Sequence, residues 1–294
     1  MKRRQAGAAL MLVMWFVAAL SIIALSLSAG ARIDLRGTSQ FVDMARVEAL
    51  AQTASNLILL EFETDRAAFE QNFRREYQYD GHTLVAEIRP DGAFVNLNSA
   101  PRELLLGLFQ YAAGLPEDAA EKLTIAVIEW RSSSATGDLT RNYEAAGVQY
   151  RPRHNRFEAP EDLLQVLGVE YEAYAKITGL LTVYGSSVGV DARYAPEALL
   201  SVLAGGQQDV ARQVLLSREG GELDTNLMAM DQALIVRGND ATAYRIDISV
   251  TLDGTSYVRR AWYEQGGGGA NNEPWWTRVQ EPVEVVRVSV DGDD

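Results

Sequence analysis

An uncharged stretch runs from Gln5 to Ala31, with Lys2, Arg3 and Arg4 before it and Arg32 after it. Coiled as a helix at about 1.5 Å per residue it would be roughly 40 Å long, enough to cross the ~30 Å hydrocarbon layer of a bilayer. The basic residues belong on the cytoplasmic side, which sends everything after Arg32 outside. A secretory signal peptide is the competing reading, because Ala29-Gly30-Ala31 has the small residues of a cleavage site. Two features weigh against it. The stretch exceeds the ~7–15 residues of an ordinary signal-peptide core, and a glycine, Gly7, stands between the basic leader and the apolar run.

The rest of the 294-residue chain has length for about two domains, and 47% hydrophobic residues is ample for a buried core. A net charge of −13 disfavours the phosphate contacts behind most nucleic-acid binding. With no cysteine and only two histidines, His82 and His154, disulfides, thiolate catalysis and multi-histidine metal centres are excluded.

Beyond the apolar run, residues 38–62 have helical periodicity, with Val47, Leu50, Ala51, Ala54, Leu57 and Ile58 on one stripe. Short strands are predicted at Tyr77–Tyr79, Thr83–Ile88 and Ala93–Leu97, separated by Asp80-Gly81 and Pro90-Asp91-Gly92. The middle is helical, with candidates at 101–113, 117–131, 159–167, 170–181, 196–204, 207–219 and 231–236. Pro101 and Pro196 stand at helix starts, where proline is tolerated. Strands return at Ala243–Leu252 and Ser256–Tyr263, joined by the hairpin signal Asp253-Gly254. Gly266–Gly269 is a linker, and the alternating valines of Val283–Val290 predict an edge strand. Val95–Leu105 and Val190–Leu200 share Ala-Pro followed by Leu-Leu, either an internal repeat or a chance match.

The basic leader ending at Gly7 resembles a type IV prepilin leader. That resemblance implies cleavage between Gly7 and Ala8 by a prepilin peptidase and N-methylation of Ala8. Ordinary pilins carry glutamate at the fifth mature position, where this chain has Leu12; a carboxylate at that depth is costly unless paired. Leucine there is similar to the general secretion pathway protein K family of type II secretion systems. Further along, Asn96–Leu105 resembles that family's Asn-x-Asn-Thr-Ala-Pro-x-Glu-x-Leu segment. Ala126–Arg131 resembles its Ile-x-Asp-Trp-Arg, Tyr150–Phe157 its Tyr-Arg-Pro…Asn-x-Phe, and Leu180–Gly185 its Leu-Thr-Val-Tyr end. The family also implies calcium in the helical part. Here the stretch after Trp130 is serine-rich, with only Asp138 and Glu144 nearby as carboxylate ligands; a solvated loop is the alternative.

Other motifs read as scaffold. Leu164–Val169 with Ala173 and Ile177 looks like half of a helix-hairpin-helix. Glu170 replaces its second glycine, and residues 155–184 set Arg156 and Lys176 against Glu158, Glu161, Asp162, Glu170 and Glu172, a surface that repels DNA. Gly185-Ser186-Ser187-Val188-Gly189 matches a nucleophile elbow, but both histidines precede Ser187, the wrong order for that fold. Among Arg151, Arg153 and Arg156, His154 reads as part of a basic loop pairing with an acidic neighbour. Trp275 and Trp276 either cover the hairpin's core face or form a partner patch.

The expectation is an α+β chain: leader 1–7, transmembrane helix 8–31, a pilin-like helix and first strands 32–96, a helical insertion 97–240, and returning strands and tail 241–294. It is a single-pass bacterial inner-membrane protein with its head in the periplasm. The resemblance implies a non-enzymatic minor pseudopilin at the pseudopilus tip, serving export across the outer membrane. Its implied partners are the I and J minor pseudopilins, the prepilin peptidase and the inner membrane, with no nucleic acid and no cofactor beyond calcium. The rivals are a type IV pilus minor pilin, a membrane-tethered DNA receptor of the competence kind, and a periplasmic enzyme.

Overall fold

The computed structural model describes residues 5–65, 73–133, 139–220, 227–236, 241–266 and 274–286, with backbone alone at 5–10, 22–40, 139–140 and 219–220. Helix α1 (Gln5–Thr64) leads into an antiparallel sheet. Its strands β1 (Arg74–Tyr79), β2 (His82–Pro90), β5 (Ala243–Leu252), β6 (Thr255–Gln265) and β7 (Trp275–Gln280) lie in that order, and β8 (Glu284–Val286) also pairs with β6. Between β2 and β5 the chain makes an excursion into helices.

The sheet forms because its strands alternate. Along β5 the apolar side chains Tyr244, Ile246, Ile248, Val250 and Leu252 are buried on one face. Opposite them in register stand Ala261 against Ile246 and Tyr257 against Val250. Both tight hairpins turn on an Asp-Gly pair with positive φ at each residue: Asp80 49° and Gly81 74°, Asp253 48° and Gly254 79°. This is the turn whose twist matches paired strands.

Onto the apolar face α1 lays Val47, Leu50, Ala51, Ala54, Ile58 and Phe62, a stripe at helical spacing. Leu57, expected on that stripe, is instead 37% exposed, and Phe62, one turn beyond Ile58, takes part in its place. One cation interrupts this interface. Arg259 is fully buried; its guanidinium donates to Ser55 Oγ (3.1 Å), Gln52 Oε1 (2.9 Å) and Tyr263 Oη (3.2 Å), and its Nε lies 3.2 Å from Glu48 Oε1. Three of the four partners come from α1, so the arginine fixes where the helix sits along the sheet. Removing it would leave the buried hydroxyls of Ser55 and Tyr263 without that donor.

The helical excursion has a separate core whose buried members run from Val95 to Leu234. It contains β3 (Val95–Asn96), α2 (Arg102–Gly107), α3 (Glu117–Arg131), α4 (Leu139–Ala145), α5 (Tyr171–Ile177), β4 (Leu181–Thr182), α6 (Glu197–Leu203) and α7 (Gln208–Gly220). Strands β3 and β4 pair in parallel. The structure corrects the sequence reading in several places. The expected strand over Ala93–Leu97 shrinks to β3, because Asp91–Ala93 is a 3-10 turn. The helix expected over 101–113 changes to π-helical winding at Leu108–Ala112. Pro160–Gln165 is a 3-10 helix within the expected 159–167 helix, and α5 ends in a 3-10 turn, Thr178–Leu180. Residues 231–236 are not helical: Ile235 bridges Val190 in parallel, with Val190 N donating to Leu234 O and Val236 N to Val190 O. Helix α4 and strand β7 were not expected at all.

The repeat seen in the sequence is a structural one. In the first unit Asn96 Oδ1 accepts from Asn98 N, and Asn96 O accepts from Ser99 and Ala100 N. Pro101 then caps α2, and Arg131 at the end of α3 donates to Leu97 O and Ala100 O at 2.8 Å each. In the second unit Asp191 Oδ1 accepts from Arg193 N, and Asp191 O accepts from Tyr194 and Ala195 N. Pro196 caps α6, and Arg218 near the end of α7 donates to Ala192 O and to Ala195 O. A side-chain turn, a proline cap and an arginine clamp recur together, which chance does not produce from two Ala-Pro pairs.

Candidate functional site

Gly7, Ala8 and Leu12 all fall in α1. From Met11 to Ser21 every side chain is exposed, Leu12 at 60% and Trp15 at 78%. Contiguous exposed apolar side chains of this kind mark a surface for contact with protein or membrane. Among the described residues no helix is long and apolar enough to cross a membrane. Much of the uncharged stretch lies where only the backbone is described.

Of the two carboxylates considered for calcium, Asp138 lies outside the described residues. Glu144 lies on α4 and is exposed, 3.8 Å from Arg151. Among the described residues no three acidic or histidine side chains converge on one point. What holds this region is aromatic: Trp130 stacks on Phe157 and tilts against Tyr143, with centroids 6.1 Å apart in each pair. The Tyr143 hydroxyl donates to Gln165 O (2.9 Å) and accepts from Leu167 N (2.7 Å), and burial pushes its pKa up to about 12. Helix α4 is thereby tied to the hairpin-like segment.

That segment is a 3-10 helix, a turn and α5, with Glu170 at the N-cap of α5. A carboxylate there occupies the place where a DNA-binding hairpin would present amides to phosphate. In the neighbouring basic loop Arg153 pairs with Glu158 (2.9 Å) and Asp162 (3.3 Å), and His154 takes a left-handed φ of 49° beside them. Asp162 in turn accepts from the Glu158 and Ala159 amides.

The nucleophile-elbow motif is part of the joint between the two cores. The amides of Ser186 and Ser187 donate to Asp91 Oδ2 (2.9 and 3.2 Å), and Gly92 N to Asp91 Oδ1 (3.0 Å). Asp91 is 1% exposed. Burial raises its pKa, the three amides pull it down, and Glu264 adds a further upward push. Gly185 has φ +77°, and a Cβ there would stand 2.0 Å from Asp91 Oδ2, so glycine is required on both counts. Around this carboxylate Phe94 packs edge-on to Trp262 (5.1 Å), Tyr184 tilts against the same indole (5.4 Å), and Arg245 lies 4.7 Å over the Phe94 ring while pairing with Asp247 at 2.9 Å. The Asp191 amide donates to Gly92 O at 2.7 Å, joining the second helical unit to the end of β2. None of this was read from the sequence: Pro-Asp-Gly has the composition of a surface turn, and the signal that could have found it is the unexplained glycine pair around Ser187.

The tail aromatics divide. Trp275 packs edge-on against Phe62 (5.0 Å) and its indole N–H donates to Glu63 (2.9 Å), so it belongs to the α1–sheet core. Trp276 is 39% exposed, with the Arg278 guanidinium 5.0 Å over its ring.

Against known proteins, residues 86–186 match the family model for type II secretion system protein K. No curated protein matches the chain. Five chains of solved structures do. One comes from the crystal structure of the GspK-GspI-GspJ complex of the enterotoxigenic Escherichia coli type 2 secretion system, at 13% identity and a TM-score of 0.54, covering 86% of this chain and 99% of that one. At that identity the likeness is one of fold. The family match begins inside β2, crosses the Asp91 joint and runs through the whole first helical unit.

Proposed function

We propose that this chain, whose residues 86–186 match the family model for type II secretion system protein K, is a non-enzymatic minor pseudopilin that caps a secretion pseudopilus. The observation that carries this reading is the joint itself: a helix laid on an antiparallel sheet, interrupted after β2 by a clamped helical insertion, within a fold shared over 86% of the chain with a chain of that solved complex. On this reading residues 1–7 are the leader, Ala8 becomes the methylated N-terminus, and 8–31 anchor the chain in the inner membrane with the head, 32–294, in the periplasm. Residues 97–240 form the insertion, and its bulk above the sheet favours a terminal place, because a subunit stacked on top would collide with it. Leu12, without a carboxylate, has no salt bridge to offer a subunit above it. Calcium, if bound, would draw on Asp138 and Glu144.

The solved complex holds GspI and GspJ beside GspK, and the corresponding I and J pseudopilins of this chain's own system are the partners proposed here. Purification of the full chain co-expressed with those two proteins tests this. A ternary complex stable through gel filtration is expected; the full chain eluting alone while I and J elute together would overturn it.

A further inference from the structure

A groove of about 590 Å³ runs along the outer side of α3, between that helix and the turn that leads into α5. Its volume falls within the roughly 300–1,000 Å³ of ordinary binding clefts, and nothing in the pseudopilus reading uses it. The floor is apolar, built from Leu115, Leu123, Ala126 and Leu167, and Ile125 on its lip is 40% exposed. Gly168 has φ +93°, and a Cβ there would come within 3.1 Å of Leu123 on the floor. Few polar groups converge on the floor, so the site offers little to orient a polar small molecule.

What it offers is a seam for another helix. Ala119, Lys122, Ala126 and Glu129 follow one another at spacings of three and four along α3 and line the groove together. Two alanines in such a row let a second helix axis come close. The rim also carries more acid than base, with Glu129 and Glu170 against Lys122. Glu129 lies near the C-terminal end of α3 and Glu170 caps α5, and both line the groove; neither forms an ion pair among the described residues. Lys122 is the single lining cation, and Glu117 and Asp118 add acidity at the opposite end of α3 from Glu129. The acidity that repels a nucleic-acid backbone therefore suits a cationic protein segment.

The geometry points to this groove as a docking site for an amphipathic helix of a partner protein, with apolar anchors at i, i+3/i+4 and i+7 and lysine or arginine on its flanks. Helix α3, at 15 residues and thus about 22 Å, accommodates four turns of such a helix.

The test uses the full chain in phosphatidylcholine nanodiscs and two fluorescent 18-residue helical peptides. Both carry the same leucine stripe; one is flanked by lysines, the other by glutamates, and empty nanodiscs supply the baseline. Saturable binding of the lysine peptide is expected, at least tenfold tighter than the glutamate peptide. Glu129→Lys combined with Glu170→Lys should weaken it about tenfold, as two partly exposed charge pairs would. Ile125→Glu, at an exposed position, should remove it. Peptide binding should slow amide exchange at 119–129 and 167–170, and thermal melts verify that each variant is folded. Equal affinity for both peptides would overturn the proposal. So would binding indifferent to Ile125→Glu, no saturation by either peptide up to millimolar, or occupancy by a second copy of the chain, seen as self-association abolished by Ile125→Glu.

Discussion

The two units of the helical insertion share one clamp and differ in almost everything else. Both begin with a side-chain turn at Asn96 or Asp191, pass through an Ala-Pro cap, and end on an arginine, Arg131 or Arg218, that donates to the carbonyls of the opening turn. Between clamp and closing strand, the first unit adds α4, a 3-10 helix and α5 around Trp130, while the described residues of the second between α7 and the bridge at Ile235 add no named helix or strand. At the position before the clamp arginine the first unit has the fully buried Trp130 and the second has Ser217, whose hydroxyl returns to Val214 O. The recurring parts hold backbone; the parts that differ build surface, including the groove.

If that contrast is right, Trp130→Ala should have the largest effect, about 3–5 kcal/mol, because it empties the first unit's aromatic core. Urea unfolding would measure it, and amide exchange should show α3 to α5 loosening while α6 and α7 stay protected. Next come Arg131→Ala and Arg218→Ala, each expected to cost about 1–3 kcal/mol, since each leaves two carbonyls without their donor. Similar losses support one clamp used twice; a loss at only one of them would break the comparison. The joint between sheet and insertion supplies a pH test. Asp91 has a folded pKa above its unfolded value of about 3.9, so the folded state holds the proton more tightly. Stability from this group is full below the unfolded pKa and is lost as pH rises through the folded one. Urea midpoints measured from pH 3 to 7 should therefore carry a declining leg that Asp91→Asn flattens. Ser217→Ala should be the mildest change, within about 0.5 kcal/mol.

Much of the framework was legible because it rests on local rules. Asp-Gly pairs fixed both hairpins, Pro101 and Pro196 marked helix starts, and the Val47–Ile58 periodicity found the face of α1 that meets the sheet. What escaped depends on distant partners. Arg259 and Arg260 are neighbours of the same type, yet one is fully buried and the other pairs with Glu284 on the open face; only the alternation Tyr257, Arg259, Ala261 hinted at it. Helix α4 has little apolar periodicity and is held by Tyr143, whose partners lie more than twenty residues away. Strand β7 follows Pro274 and a glycine-rich stretch, so its two tryptophans read as cover for the hairpin's core face or as a partner patch, and not as a strand of their own. The arginine clamps were hidden because the helices between cap and clamp differ in length, which breaks any fixed-offset alignment. Of the sites, the tie between Asp91 and the Gly185–Ser187 turn spans nearly a hundred residues and leaves no local mark.

On the function proposed above, the clamped head sits on a helix that finds lipid or other helices. The N-terminal residue of the mature protein, determined on chain recovered from the membrane of cells that carry a prepilin peptidase, tests that most directly. Methylated Ala8 is the predicted result. A chain beginning at Arg32 and recovered free of the membrane would contradict it.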